Sequence, residues 1–363
     1  MNNQFVTSHK IYFNDSRQMG DLRDESIHLV ITSPPYPKIE MWDDLFLKFE
    51  CQTYDQMHDF LEETWRECYR VLIKGGICCI NIGDSVRKCN GDFRLFSNHS
   101  TIIEKCINIG FVNLPSIIWK KPTNKPNKFM GSGMIPNNAY ATLEHEYVLI
   151  LRKSGKKREF PRYDEKRYNS AYFFEERNVW FSDQWTDLKG ESQKLKHQDL
   201  RDRSAAYPFD LAYRIINMYS IQGDTVLDPF WGTGTTTLAA MASARNSIGY
   251  EIEKDFFSVF NERKRVIPMI TMDKNRQRLE NHEKFIISQE EKKHPKYFAT
   301  NYPFGVMNKQ EKDILFYDID SVIKENNDKI SNENQNFYHE KILHKKHNYT
   351  SSRQKKQKQL SSF

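Results

Sequence analysis

Ile27-His28-Leu29-Val30-Ile31-Thr32-Ser33-Pro34-Pro35-Tyr36 is the stretch on which the fold of this chain turns. A mostly apolar run ends in a Pro-Pro turn, so Ile27–Ile31 reads as a buried strand. Downstream, Thr53–Ile73 reads as a helix: Thr53 and Gln56 can form a capping box, and Met57, Phe60, Leu61, Trp65, Cys68, Val71 and Leu72 recur at helical spacing. Gly75-Gly76 stops it, and Ile77–Ile82 is the next buried strand. Thr101–Ile109 fits a helix closed by Gly110, while Ser116–Trp119 and Glu146–Leu151 are strand candidates. Regular structure resumes with Pro208–Tyr219 as a helix and Thr225–Asp228 as a strand. Thr235–Ala244 (helix), Ser247–Glu251 (strand) and Lys254–Val266 (helix) follow. Strand alternating with helix predicts an α/β fold, a doubly wound and mostly parallel sheet covered on both faces.

Between those regions the pattern lapses. From Arg152 to about Arg203 basic residues outnumber acids, and Tyr163, Tyr168, Tyr172, Phe173, Phe174, Trp180 and Trp185 are interleaved with or follow them. Beyond residue 266 the chain turns polar, and Lys341–Lys358 carries seven Lys/Arg and no acid. That tail is expected to be disordered or weakly helical. The division read from sequence is therefore 1–151 and 204–266 as two halves of one core, 152–203 as an insertion and 267–363 as a polar extension with a basic tail.

The 363 residues suffice for one large α/β domain with an insertion, or for two domains. Hydrophobic content of 38% and aromatic content of 13% allow a substantial core despite a mean hydropathy of −0.75. A net charge of +6 suits a polyanionic partner. The amino terminus lacks the apolar core of a signal peptide and the apolar runs are too short to span a bilayer, so a soluble, cytoplasmic protein with no membrane partner is expected. Six cysteines form no Cys-x-x-Cys pair and no matching histidine spacing accompanies them, so they read as thiols in a reducing compartment and no metal is expected.

The chemistry sits at two strand ends. Thr225-Val226-Leu227 runs into Asp228-Pro229-Phe230-Trp231-Gly232-Thr233-Gly234-Thr235, a glycine-rich turn at a helix start where Gly232 and Gly234 let the backbone approach a ligand. Glu251 ends the next strand, the position that binds ribose hydroxyls in nucleotide-type folds. There is no Gly-x-x-x-x-Gly-Lys-Ser/Thr loop for phosphates, so a ligand with an adenosine but no phosphates fits, and S-adenosylmethionine is one. At the first strand end, Ser33 Oγ and the Pro34 carbonyl are hydrogen-bond acceptors on a turn stiffened by Pro34 and Pro35. Acceptors so placed can polarise an exocyclic amine, whose lone pair is delocalised into its ring, and Tyr36 offers a face for a base to stack on. Because the methyl sulfonium of that donor is already electrophilic, positioning and polarisation are expected to outweigh strong base chemistry.

On these two motifs, in this order, residues 10–265 resemble the permuted (β) group of DNA amino-methyltransferases. There the Ser/Asp-Pro-Pro-Tyr motif precedes a donor-binding Phe-x-Gly-x-Gly motif. Asn14-Asp15-Ser16 resembles a Gly-Asp-Ser segment whose acid faces the donor's adenine, although Asn14 departs from the usual glycine. Arg70–Asp84, Trp119–Pro122 and His145-Glu146-Tyr147 resemble other segments of the group. Ser204–Leu211, with Tyr207-Pro208-Phe209, resembles the segment beside the methionine part of the donor. The resemblance implies a Rossmann-like sheet of seven strands, one antiparallel. It further implies Ser33, Pro34, Pro35 and Tyr36 as the catalytic set. Asp15, Pro208, Phe209, Asp228, Phe230, Gly232, Gly234, Thr235 and Glu251 would be the donor's contacts. Double-stranded DNA would be the substrate with its target base flipped out, 152–203 the target-recognition region, and Lys120–Asn138 a loop over the DNA. A restriction–modification setting with a cognate endonuclease, and a homodimer, are implied in the same way.

Serine at position 33 is typical of the N4-cytosine enzymes of this group and aspartate of the N6-adenine enzymes, so N4-cytosine is expected, by analogy. C5 methylation needs a thiolate, usually in a Pro-Cys turn, and the chain has no such dipeptide. An RNA or protein methyltransferase sharing the donor site, and a non-catalytic DNA-binding relative, are the rival classes. A dehydrogenase would carry Gly-x-Gly-x-x-Gly, and residue 237 is Thr.

Overall fold

The structure is a computed structural model and describes residues 5–89, 91–121, 130–131, 134–189, 207–289, 295–324 and 336–351. Its main sheet is built from β1 (Phe5–Tyr12), β2 (Ile27–Thr32), β3 (Leu72–Ile82), β4 (Phe111–Lys120), β5 (His145–Lys153), β6 (Gln184–Trp185), β7 (Thr225–Asp228), β8 (Asn246–Tyr250), β9 (Tyr317–Lys324) and β10 (Phe337–Lys346). The longer helices are α1 (Tyr54–Val71), α2 (Asn98–Ile109), α3 (Phe174–Trp180), α4 (Phe209–Tyr219), α5 (Thr235–Ala242), α6 (Phe256–Lys264) and α7 (Ile267–Gln289).

The strand order is β6-β4-β5-β3-β2-β7-β8-β1-β10-β9. From β4 to β1 it is a seven-stranded sheet in which β5 alone runs antiparallel to its neighbours. That is the sheet the resemblance implied. Alternate residues of each strand feed opposite faces: Leu29 and Ile31 join a core with α4 and α5, whereas Val30 joins one with α1 and α2. Helices on both faces bury the strands twice over, which is why those strands read as near-continuous apolar runs. The Thr53–Gln56 capping box forms as expected, and Gly110 closes α2 at φ 121°. One boundary differs: α1 ends at Val71 and Leu72 already begins β3, so Gly75-Gly76 lies within the strand.

β1 was not legible. Its inward positions Thr7 and His9 are buried but polar, satisfied by one another and by neighbouring strands: Thr7 Oγ1 lies 2.9 Å from His9 Nε2 and 2.8 Å from His344 Nε2, and His9 Nδ1 lies 2.8 Å from Ser247 Oγ. The tail expectation is corrected over its described part. Lys341–Lys346 belongs to β10, antiparallel to β1, with Glu340, Ile342 and His344 buried at alternating positions. A period-two pattern carrying lysine at outward positions looks like a solvated charge run from sequence. Residues 352–358 of that tail lie outside the described residues.

The segment 152–203 is described as far as residue 189, and its aromatics do packing work there. Phe173, Trp180 and Trp185 are buried, Trp185 Nε1 donates to the Trp180 carbonyl at 3.0 Å, and Arg158 pairs with Asp224 at 2.6 Å. Those side chains are therefore not laid out on a recognition face, whereas Tyr163 is exposed. Phe173 joins Leu279, Tyr302, Phe304 and Phe316 in a satellite core that fastens α3 and the segment 295–316 to α7. Of the loop expected over Lys120–Asn138, residues 122–129, 132 and 133 lie outside the described residues.

Candidate active site

The two motifs meet because β2 and β7 are parallel neighbours, with Leu29 opposite Val226 and Val30 opposite Leu227. Both strands therefore end at the same edge, where open α/β sheets hold ligands. Thr32 and Asp228 latch the two ends: Thr32 Oγ1 donates to Asp228 Oδ1 at 2.8 Å. Asp228 also accepts from Phe230 N at 3.1 Å, Thr236 Oγ1 at 2.5 Å and the Tyr207 hydroxyl at 3.2 Å. Burial pushes its carboxyl upward and these four donors pull it back. With both oxygens engaged by protein, Asp228 shapes the site rather than offering a free contact.

A cavity of about 330 Å³ opens beside the latch, within the range of small-molecule sites. It brings together Asp15, Ser33, Pro35, Asp228, Phe230, Gly232, Thr235 and Glu251 of the expected set. Pro34, Tyr36, Pro208, Phe209 and Gly234 do not line it. Pro208 sits at the N-cap of α4 and Phe209 packs in the core, stacked 5.8 Å from Tyr213, so the neighbouring Tyr207 faces the cavity in their place.

The glycines divide their work. Gly232 has φ +50° and a Cβ there would meet nothing closer than the Phe230 carbonyl at 3.9 Å, leaving the backbone open to a ligand. Gly234, at φ +76°, would drive a Cβ to 2.5 Å from Phe260 Cδ2 and 2.8 Å from Trp231 Cζ2. It is glycine for packing as well as for its left-handed backbone. Trp231 is buried, donates from Nε1 to Thr237 Oγ1 at 2.8 Å, and also requires glycine at 249.

Glu251 closes the turn from the far side. Its Oε2 accepts from Gly232 N at 2.7 Å and its Oε1 from Ile252 N and Glu253 N, both at 2.9 Å. Desolvation pushes this carboxyl up to about 7 against the pull of those three N–H groups. Asp15 is held differently, its Oδ2 accepting from both Nη2 and Nε of Arg17 at 2.7 and 2.9 Å, and the Arg17 guanidinium lies 4.3 Å over the Phe60 ring. Sequence reading missed Arg17 and the cavity wall of Trp42, Phe49 and Phe60. Phe60 shows only as an apolar helix position, and nothing in the spacing of the others marks them.

Beneath Ser33 lies a buried polar cluster. Ser33 Oγ donates to the Tyr36 hydroxyl at 3.0 Å, and that hydroxyl donates to Glu146 Oε2 at 3.0 Å. Asn81 Nδ2 donates to both, at 2.9 Å to Tyr36 and 2.7 Å to Glu146, while Lys121 Nζ reaches Glu146 Oε1 at 2.7 Å. Burial and the adjacent carboxylate hold the Tyr36 phenol well above its ordinary range, so it stays protonated. At 4% exposure the ring offers no open face for the stacking expected of it.

Among the described residues one trio has metal-ligand spacing: Glu175, His282 and Glu311, whose ligand atoms lie within 4.8 Å of one another. Most of its atoms are engaged internally, although Glu175 Oε2 is buried without a hydrogen-bond partner. His282 Nδ1 lies 2.9 Å from Glu175 Oε1 and Nε2 3.1 Å from the Gly305 carbonyl, and Glu311 accepts from Phe174 N and Asn308 N. No described helix is long and apolar enough to cross a membrane.

Comparison with known proteins agrees with this geometry. Residues 27–262 match the DNA methylase family of N6 and N4 methyltransferases. The chain is 49% identical over 326 residues to the Type II methyltransferase M.MthZI of Methanothermobacter thermautotrophicus, covering 86% of this chain and 90% of that one. It is 51% identical over 286 residues to the Type II methyltransferase M.MjaI of Methanocaldococcus jannaschii, covering 72% and 93%. A Thermus thermophilus protein described as a DNA modification methylase, solved with S-adenosyl-L-methionine bound, superposes with a TM-score of 0.57 at 32% identity over 71% of this chain and 94% of its own. The chain thus belongs to the family of S-adenosylmethionine-dependent DNA amino-methyltransferases.

Proposed function

We propose that this protein transfers the methyl group of S-adenosylmethionine to the exocyclic N4 of cytosine in duplex DNA, as the modification enzyme of a restriction–modification system. The observation that carries the reading is the single cavity lined by both Ser33 and the Phe230–Gly232–Glu251 donor turn. A base amine accepted at Ser33 and a sulfonium methyl delivered from the glycine turn would meet inside it. When bound, the donor supplies the electrophilic methyl. The chain's part is to hold the adenosine end between Glu251 and the Asp15 side, and to accept a hydrogen bond from the amine at Ser33, which lines the cavity where Pro34 does not. Serine rather than aspartate at 33 favours cytosine over adenine. The two most similar methyltransferases named above are Type II enzymes, which supports the restriction–modification setting and a cognate endonuclease. Target recognition is proposed for 152–203 through residues other than the buried Phe173, Trp180 and Trp185.

Nucleoside mass spectrometry of unmethylated genomic DNA, treated with the protein and isotope-labelled S-adenosylmethionine, tests this directly. Labelled N4-methylcytosine is expected. Labelled N6-methyladenine would overturn the base assignment while keeping the chemistry, and no label in DNA would overturn the substrate. Ser33→Ala should leave donor binding intact and cut turnover by about 10²-fold, as loss of one polarising contact does.

A further inference from the structure

The hydrogen bonds under Ser33 have one self-consistent direction. The Glu146 carboxylate only accepts, so the single proton of the Tyr36 hydroxyl goes to Glu146 Oε2 at 3.0 Å. The Tyr36 oxygen is then the acceptor for Asn81 Nδ2 at 2.9 Å and for Ser33 Oγ at 3.0 Å. Ser33 has thereby committed its only proton inward, and its lone pairs face the cavity it lines. The orientation of the serine as an acceptor is dictated from Glu146, two residues away along the chain of hydroxyls. Tyr36, Asn81 and Glu146 are all under 10% exposed (4%, 3% and 8%). A carboxylate buried behind a proline turn is costly compared with an apolar side chain.

We propose that Glu146, acting through Tyr36, is the terminal proton acceptor of the methyl transfer at Ser33, with Asn81 and Lys121 as its positioning residues. This rests on the reading that an exocyclic amine is held at Ser33. As the amine nitrogen's lone pair forms the bond to the donor methyl, the electrons of the carbon–sulfur bond return to sulfur and leave a neutral thioether. The nitrogen now carries a positive charge and one proton too many. That proton passes to Ser33 Oγ while the serine proton moves to the Tyr36 oxygen and the tyrosine proton to Glu146 Oε2. The product leaves as a neutral secondary amine and Glu146 is left as a neutral acid. Lys121, paired to its other oxygen and 47% exposed, marks where the proton returns to water.

A purely structural role and a relay predict different outcomes for Glu146→Gln. The amide oxygen can still accept from Tyr36 and Asn81, so the direction of the bonds survives while the base is gone. The test is single-turnover transfer of labelled methyl from S-adenosylmethionine to unmethylated genomic DNA across pH, with donor affinity measured on the same samples. Wild-type rate should fall on acidification with an ionisation that E146Q lacks. E146Q should be slower by about 10²-fold or more, the usual range for a lost general base, at unchanged donor affinity. Tyr36→Phe removes both the path and the acceptor that orients Ser33, so its rate loss alone is shared with a structural role; the readout that decides, if E146Q fails to fold, is loss of the wild-type ionisation from the pH profile of Tyr36→Phe. Variants that match the wild-type rate and pH profile, with wild type labelling DNA, would overturn the relay alone. If wild type puts no label in DNA, the amine reading falls and the relay falls with it.

Discussion

Glu251 couples donor affinity to pH, with a sign and size that follow from its surroundings. Its carboxyl is pushed up to about 7 by desolvation, and only the ionised form can accept a ribose hydroxyl while still serving its three backbone N–H groups. The donor should therefore bind the deprotonated form, so affinity rises with pH through about 7 and is lost on acidification. For one group with that pKa, the apparent dissociation constant should weaken about 10-fold between pH ~8 and pH ~6, about 1.4 kcal/mol. Reciprocally, binding should draw the Glu251 pKa down. Adenosine is the cleaner titrant, because the α-amino group of S-adenosylmethionine itself ionises near pH ~8. Calorimetry with adenosine over that range reads the effect, and Glu251→Gln should flatten it. The same variant should also lose stability. An amide has one acceptor oxygen, yet the carboxylate now serves Gly232 N, Ile252 N and Glu253 N. At least one N–H is left facing an NH2 group, at a cost of about 1–3 kcal/mol. A dissociation constant flat across the range, or one that tightens on acidification, would refute this account of Glu251.

The two glycines of the turn should fail in different ways. Gly234→Ala meets Phe260 and Trp231 at 2.5 and 2.8 Å and should lose about 2–4 kcal/mol in denaturant unfolding; Gly232→Ala should lose about 1 kcal/mol but weaken the donor more. Equal stability losses would refute that division. Ending the chain after residue 336 removes β10, stripping β1 of one of its two partner strands, β9 of its neighbour and Lys264 of Glu340 at 2.6 Å. That truncation should abolish cooperative unfolding, whereas ending it after 351 should not, and a cooperative 1–336 fragment would contradict the placement of β10. Finally, His58 and His344 are buried with pKa values lowered to about 4 by desolvation. The unfolded chain takes up protons below pH ~6.5 that the folded chain refuses until about 4, so stability is lost across that window, by up to about 3 kcal/mol at each site. His344→Gln should show a shallower acid slope than wild type, and an unchanged slope would count against it.

Much of the fold was legible because the parallel strands are buried on both faces. Burial from two sides writes an uninterrupted apolar run, and Ile27–Ile31, Ile77–Ile82 and Thr225–Asp228 all announce themselves in that way. The edge of the sheet was illegible for the opposite reason. β1 and β10 bury Thr7, His9, Glu340 and His344, whose polar partners lie largely far away in sequence: His344 on Thr7, Ser247 on His9 and Lys264 on Glu340. α7 hid similarly, since Asn275, Arg278, His282 and Glu283 are among its buried residues. Hydropathy records the side chain and not its partner, so a strand or helix held by paired polar groups reads as solvated.

The candidate site divides along the same line. Local chemistry was determined by sequence alone: a proline-stiffened serine turn, a glycine turn and an acid at the next strand end are each short-range patterns with their own mechanics. What only the tertiary structure decided is which of those residues face the ligand. Gly234 turns inward to admit Trp231, Pro208 caps α4 while Phe209 lies in the core, and Asp228 is consumed as the latch to Thr32. The Ser33–Tyr36–Glu146 chain belongs wholly to that second category. Residues 33, 81, 121 and 146 come from four separate stretches, and the direction of their hydrogen bonds exists only once β2, β3, β4 and β5 lie side by side.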